Sequence, residues 1–181
     1  MRIRPALVVI ALILLTGCAA SVKRGPSEVT VSEIPQVSAA RLVLNLSGPP
    51  TTTGASDWAG FKQEWQENFQ EQATAAGIAF QMQEGPAKAT GDNGTLLSVF
   101  VTDYRFIRPG TRYAVGMLTG NAYVESKLAF SDLKTGTVFG MQTANTSSSA
   151  WEGAFSAMTN KQVAAIAADV FKQMKSGKLV Q

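Results

Sequence analysis

The chain has 181 residues, a fitting length for one domain, and 45% of them are hydrophobic, ample for a core. It carries 16 basic and 13 acidic side chains, a net of +3, with a single cysteine and no histidine. That inventory excludes a disulfide within the chain, the usual His/Cys zinc sites, and both Ser-His-Asp and Cys-His triads, so stability has to come from packing.

The chain opens on an export pattern. Arg2 and Arg4 precede an apolar run of ten residues from Ala6 to Leu15, and Leu15-Thr16-Gly17-Cys18 closes it. Ten helical residues span about 15 Å, half of a hydrocarbon core of roughly 30 Å, so the run suits the h-region of a signal peptide rather than a membrane span. Thr16 and Gly17 are small enough to let the backbone enter a peptidase cleft. The segment resembles a bacterial lipoprotein signal with its lipobox; the plainer alternative is an ordinary signal peptide cut elsewhere, with Cys18 incidental. The resemblance implies cleavage between Gly17 and Cys18 and an S-diacylglyceryl, N-acyl cysteine at Cys18. One acyl chain anchors only marginally, at about 0.8 kcal/mol per buried CH₂, whereas several together hold a domain almost permanently. Ala19 in place of aspartate after the cysteine implies, by the usual sorting rule, the outer membrane facing the periplasm. Removing residues 1–17 takes Arg2 and Arg4 away and leaves 14 basic against 13 acidic groups on 164 residues, a net of +1. The electrostatic case for nucleic-acid binding goes with them.

Residues 18–38 read as the lipidated end and a tether, with Ser21, Gly25, Pro26, Ser27 and Pro35 among scattered charges. A flexible chain of about 20 residues has a root-mean-square span of roughly 25 Å. Val29-Thr30-Val31 is either a short edge strand or part of that tether. One α+β domain is expected over 39–181. Ala40 to Leu46 predicts a strand with Leu42, Leu44 and Leu46 on one face, and the Gly, Pro and Thr residues of 47–55 a loop. From Ser56 to Ala76, Trp58, Phe61, Trp65, Phe69, Ala73 and Ala76 recur at helical spacing, opposite Gln63, Glu67, Gln70 and Glu71. Ser56 is placed to cap this helix and Gly77 to end it. The aromatic stripe reads as core in preference to a binding surface.

Ile78 to Gln83 predicts a strand, and 84–94 a loop. Leu96 to Ile107 predicts a central strand, with Leu97, Val99 and Val101 on one face and Leu96, Phe100, Tyr104 and Phe106 on the other. After the break at Arg108-Pro109-Gly110, Thr119 to Leu133 alternates well: Ala122, Val124, Leu128 and Phe130 face one way, Tyr123, Glu125, Lys127 and Ser131 the other. Asp132-Leu133-Lys134-Thr135-Gly136 is a turn signature that returns the chain as Thr137 to Ala144. The last helix starts near Thr159, which is spaced with Gln162 as a capping box, buries Val163, Ile166, Val170, Phe171 and Met174, and ends at Gly177. The order β-α-β-β-β-β-α predicts a two-layer α+β sandwich: a mostly antiparallel sheet of four to five strands with two helices on one face.

Arg108-Pro109-Gly110-Thr111-Arg112-Tyr113, then Gly116 and Gly120, the strand Ala122 to Phe130 and the turn Asp132 to Gly136 together resemble the bacterial lipoproteins of domain-of-unknown-function family 4410. The resemblance covers the C-terminal half well and the rest in element order only. The same order is similar to small domains of envelope accessory proteins: transport-auxiliary lipoproteins, lipoprotein activators of cell-wall synthases, and the amino-terminal domain of TolB. The family carries no established activity, so the resemblance implies fold and location and only loosely a role.

No catalytic constellation and no metal or cofactor site stands out. Gly110, Gly116 and Gly120 lack the spacing and the following helix of a phosphate loop and read as backbone turns. Arg105, Arg108 and Arg112 interleave with Tyr104, Phe106 and Tyr113, either as a solvated sheet end or as a basic-aromatic patch for an anionic lipid, a glycan or a partner's carboxylates. Trp151, in a Ser/Gly loop, either plugs a core edge or anchors an interface. Asp103, Glu125, Asp132 and Glu152 are too scattered in sequence to nominate a carboxylate pair. The expectation is a lipid-anchored, non-enzymatic accessory module with the membrane and an envelope protein as partners. The alternatives are a hydrolase with a perturbed carboxylate or lysine in a pocket, or a carrier with a cavity between helices and sheet.

Overall fold

A computed structural model describes residues 22–24, 33–106, 122–147 and 159–179. Strands β1 (Val22–Arg24), β2 (Arg41–Ser47), β3 (Ala79–Gln83), β4 (Thr95–Arg105), β5 (Tyr123–Asp132) and β6 (Val138–Ser147) form one sheet. Helix α1 (Pro50–Thr53) is a single turn, and α2 (Trp58–Ala76) and α3 (Thr159–Ser176) are the two long helices. The strand order across the sheet is β1-β6-β5-β4-β2-β3. The class is α+β, and from β2 onward the order of strands and long helices is the expected one.

The sheet is mixed. β2 is parallel to both β3 and β4, while β4–β5, β5–β6 and β1–β6 are antiparallel. Helix α2 makes β2-α2-β3 a crossover that returns the chain to the same end of the sheet, as parallel pairing requires. The β3–β4 connection has no helix, so residues 84–94 retrace the length of β2. Asn45 holds the start of that return, its amide donating to the carbonyls of Gln83 (3.0 Å) and Gly85 (2.8 Å). Asn45 therefore spends its side chain inside the fold, 2% exposed.

The core lies between the sheet and the helices. Phe61, Trp65, Phe69 and Ala73 of α2 and Val163, Ile166, Val170, Phe171 and Met174 of α3 meet Leu42, Leu44, Leu97, Val99, Val101, Val124, Leu128 and Phe130 in one cluster. Both predicted helix faces are thus the buried ones. The indole N–H of Trp65 is buried without a partner among the described residues. Gly77 (φ 70°) and Gly177 (φ 66°) end the helices in the left-handed region, as expected. The Asp132 turn also forms as expected: its Oδ1 accepts from the backbone N–H groups of Lys134 (2.6 Å) and Thr135 (3.1 Å), and Gly136 has φ 77°.

Four local expectations are corrected. Helix α2 begins at Trp58 with Asp57 before it, and Ser56 is not the cap. The expected loop 47–55 contains α1, with Pro50 at its first position, where a missing N–H costs nothing. Gln162 makes no capping box. Its amide crosses to the sheet, donating to the Ala122 carbonyl (2.6 Å) while its oxygen accepts from Thr146 Oγ1 (3.1 Å). The tether is shorter than read, because Val22–Arg24 pairs with Ala144–Thr146, Glu33 bridges Lys178, and Ile34 is buried in the core. Val29–Val31, the glycines at 110, 116 and 120, and Glu152 lie outside the described residues.

Candidate functional site

Of the basic-aromatic patch nominated from sequence, Tyr104, Arg105 and Phe106 are described; Gly17, Cys18, Arg108, Arg112, Tyr113 and Trp151 lie outside the described residues. Arg105 is the last residue of β4 and is exposed, in register with Tyr123, the first of β5. Its carbonyl accepts from Thr159 Oγ1 (3.4 Å), which fastens the start of α3 to this end of the sheet.

A β-bulge decides what else gathers here. Val101 pairs with Ser126 and Asp103 with Glu125, leaving Thr102 as the extra residue. One extra residue reverses the in-out alternation. Tyr104 and Phe106, read from sequence as sharing Phe100's face, therefore turn to the helix side instead. Tyr104 stacks on Phe61 with ring centroids 4.1 Å apart, and Phe106 meets the same ring edge-on at 6.1 Å. The Tyr104 hydroxyl donates to Asp57 Oδ1 at 2.5 Å, which is the use the structure makes of the carboxylate before α2.

The other parity goes to Asp103. Its Oδ2 accepts from the Tyr123 hydroxyl (2.9 Å) and its Oδ1 from the Tyr104 backbone N–H (2.8 Å). The fold makes Asp103 and Glu125 cross-strand neighbours, a proximity that their separation in sequence concealed. Asp132 sits at the opposite end of β5.

Two tyrosine–carboxylate pairs thus flank the end of β4, one on each face. Burial, then the hydrogen bond and charge of Asp57, push the Tyr104 phenol well above its ordinary range. Hydrogen bonding to Asp103, then burial, raises that of Tyr123, with Arg105 acting in the opposite direction. Beside the first pair opens a shallow cleft of about 500 Å³ lined by Thr51, Thr52, Asp57, Thr102, Tyr104 and Arg105. A wider groove of about 1010 Å³ runs between the outward side of α2 and the end of β3, past Gln63, Gln70 and Met82. The Lys62–Glu84 ion pair (2.9 Å) spans it.

The space between helices and sheet, where a carrier needs a cavity, is filled by Phe61, Trp65 and Phe69, each fully buried. Among the described residues no three acidic side chains approach closely enough to hold a metal ion. Both tyrosines hold protons more tightly than a free phenol does, the reverse of what activates a nucleophile or general base. Among the described residues, the arrangement offers hydrogen bonding, one guanidinium, the carboxylates of Asp57, Asp103 and Glu125, and aromatic surface.

Neither a family model nor a curated protein matches the chain. Solved structures similar to it include a PelC dodecamer from Paraburkholderia phytofirmans, 18% identical over 86% of this chain and 96% of that one, with a TM-score of 0.48. Another is the lipoprotein GNA1162 from Neisseria meningitidis, 12% identical over 76% of this chain and 99% of that one, with a TM-score of 0.38. A PDZ domain protein from Parabacteroides distasonis is 11% identical over 92% of this chain and 39% of that one, with a TM-score of 0.39.

Proposed function

We propose that the protein is a lipid-anchored accessory module of the bacterial cell envelope, acylated at Cys18, standing on the outer membrane and acting in the periplasm through protein contacts rather than catalysis. The observation that carries this reading is the opening segment: basic residues, a ten-residue apolar run and Leu15-Thr16-Gly17-Cys18, with the chain's sole thiol at the position that acylation requires. No described helix is long and apolar enough to cross a membrane. Kinship with family 4410 belongs to the same proposal and rests on the Arg108–Gly136 pattern.

Protein contact is favoured over chemistry by what the fold leaves open. Among the described residues, the sheet face away from the helices leaves Phe100 (43% exposed) and Met141 (40%) open, and β3 is an edge strand that a partner strand can extend.

Intact mass of the mature protein tests the anchor: the chain should start at Cys18 and carry acyl additions, and Cys18→Ala should leave the membrane fraction. Crosslinking in cells followed by purification tests the role. A reproducible envelope partner is expected, and its absence with the anchor intact would defeat the accessory reading.

A further inference from the structure

Val22 pairs with Thr146 and Arg24 with Ala144, so β1 runs antiparallel to β6 and its first residue lies at the end of the sheet where β6 finishes. That is also where β4 ends at Arg105 and β5 begins at Tyr123. Cys18 precedes Val22 by four residues. Four residues of chain reach no further than about 14 Å, whatever conformation they take. The opposite end, at the Asp132–Gly136 turn, is the length of β5 away, ten residues or roughly 33 Å.

From this pairing we propose that the end of the sheet formed by Val22, Arg105, Tyr123 and Thr146 is the membrane-facing surface of the domain, its partner the headgroup layer of a lipid bilayer. The proposal rests on Cys18 being the lipid anchor and adds to it an orientation. A tether of 20 free residues would leave the domain able to present any side, whereas four residues hold one end within a few ångströms to 14 Å of the acylated residue and leave the other beyond that reach. Two side chains at the near end suit the position, beside the carboxylates of Asp103 and Glu125. Arg105 is an exposed guanidinium able to fork onto a phosphate, and its register partner Tyr123 is an amphipathic ring of the kind enriched at the membrane–water boundary. The polar cleft beside Tyr104 opens at the same end and therefore faces the bilayer.

Fluorescence quenching on the acylated, full-length mature protein in liposomes tests the orientation. Cys18 is the only cysteine and is masked as a thioether once acylated, so Asn145→Cys and Lys134→Cys each give a single labelling site, both exposed, one per end. With a nitroxide-headgroup lipid in the vesicles, the Asn145 label should be quenched several-fold more than the Lys134 label. Inserting twelve Gly/Ser residues between Ser21 and Val22 should remove most of that difference while the protein stays bound. Equal quenching at the two ends, as for a domain lying flat, or stronger quenching at Lys134, overturns the orientation with the anchor intact. A protein that labels at Cys18, has no acyl mass and leaves the vesicles overturns the anchor itself.

Discussion

The two faces of the sheet are built on different principles. The face under α2 and α3 is a continuous apolar layer in which aromatic rings touch in series: Trp58, Phe61, Trp65, Phe69 and Phe171 are linked by centroid distances of 5.5 to 6.0 Å. Among the described residues, the far face holds a small apolar cluster, Val43, Leu96 and Leu133, beside the returning 84–94 segment. Elsewhere it mixes Ser98, Phe100, Thr102, Glu125 and Lys127. The covered face carries the main core, and the far face leaves Phe100 and Met141 exposed among the described residues.

Matched truncations should separate the two. Trp65→Ala is expected to lose about 3–5 kcal/mol in urea denaturation, because a fully buried ring in a close-packed layer leaves a cavity. A loss under about 1 kcal/mol would mean the layer collapses freely and is not the main source of stability. A smaller effect is expected for Tyr104→Phe, which keeps the stack on Phe61 but removes the bond to Asp57, costing about 1–2 kcal/mol near neutral pH. Its pH dependence has a definite sign. The folded pKa lies above the ordinary 10.0, so the fold holds the Tyr104 proton more tightly than the unfolded chain does. The contribution is full below pH 10 and falls as pH rises toward the folded value. The stability gap between the parent protein and Tyr104→Phe should therefore narrow from pH 9 to pH 11; a gap that widens would contradict the pairing. Smallest of all, Phe100→Thr on the far face should shift stability by no more than about 0.5 kcal/mol. If it weakens recovery of a crosslinked partner instead, the far face is the contact surface.

The same contrast explains what the sequence reveals. The α2 stripe, the α3 face and the β5–β6 hairpin are legible because periodicity and turn chemistry are local, and the packing reinforces them. Three features are not local. Whether β2 lies parallel to its neighbours depends on how the chain crosses back, and the residues of β2 carry no mark of it. The Thr102 bulge changes parity without any glycine or proline to announce it, so alternation counted through Val101 misplaces Tyr104 and with it the Asp57 and Asp103 pairs. Gln162 sits at capping-box spacing, yet tertiary contact with Ala122 and Thr146 claims its amide. β1 was hidden by its setting, three residues between serine, glycine and proline that read as linker. At the candidate site, Arg105 was legible as a basic residue among aromatics, whereas its pairing with Tyr123 emerges only from the register.

The brevity of β1 has a mechanical side. A pull on Cys18 loads β1 along its own axis, against the antiparallel β6, so its bonds resist in shear, but only three residues share the load. Among the described residues, the next one paired to the domain is Glu33, eleven residues after Val22, which bridges Lys178. If those three residues yield, the chain from Val22 to Glu33 adds at most roughly 40 Å while the core, which begins at Ile34, stays whole. On the proposal that Cys18 is the anchor, the domain would have two working lengths, close-held and paid out, with a three-residue strand as the catch between them.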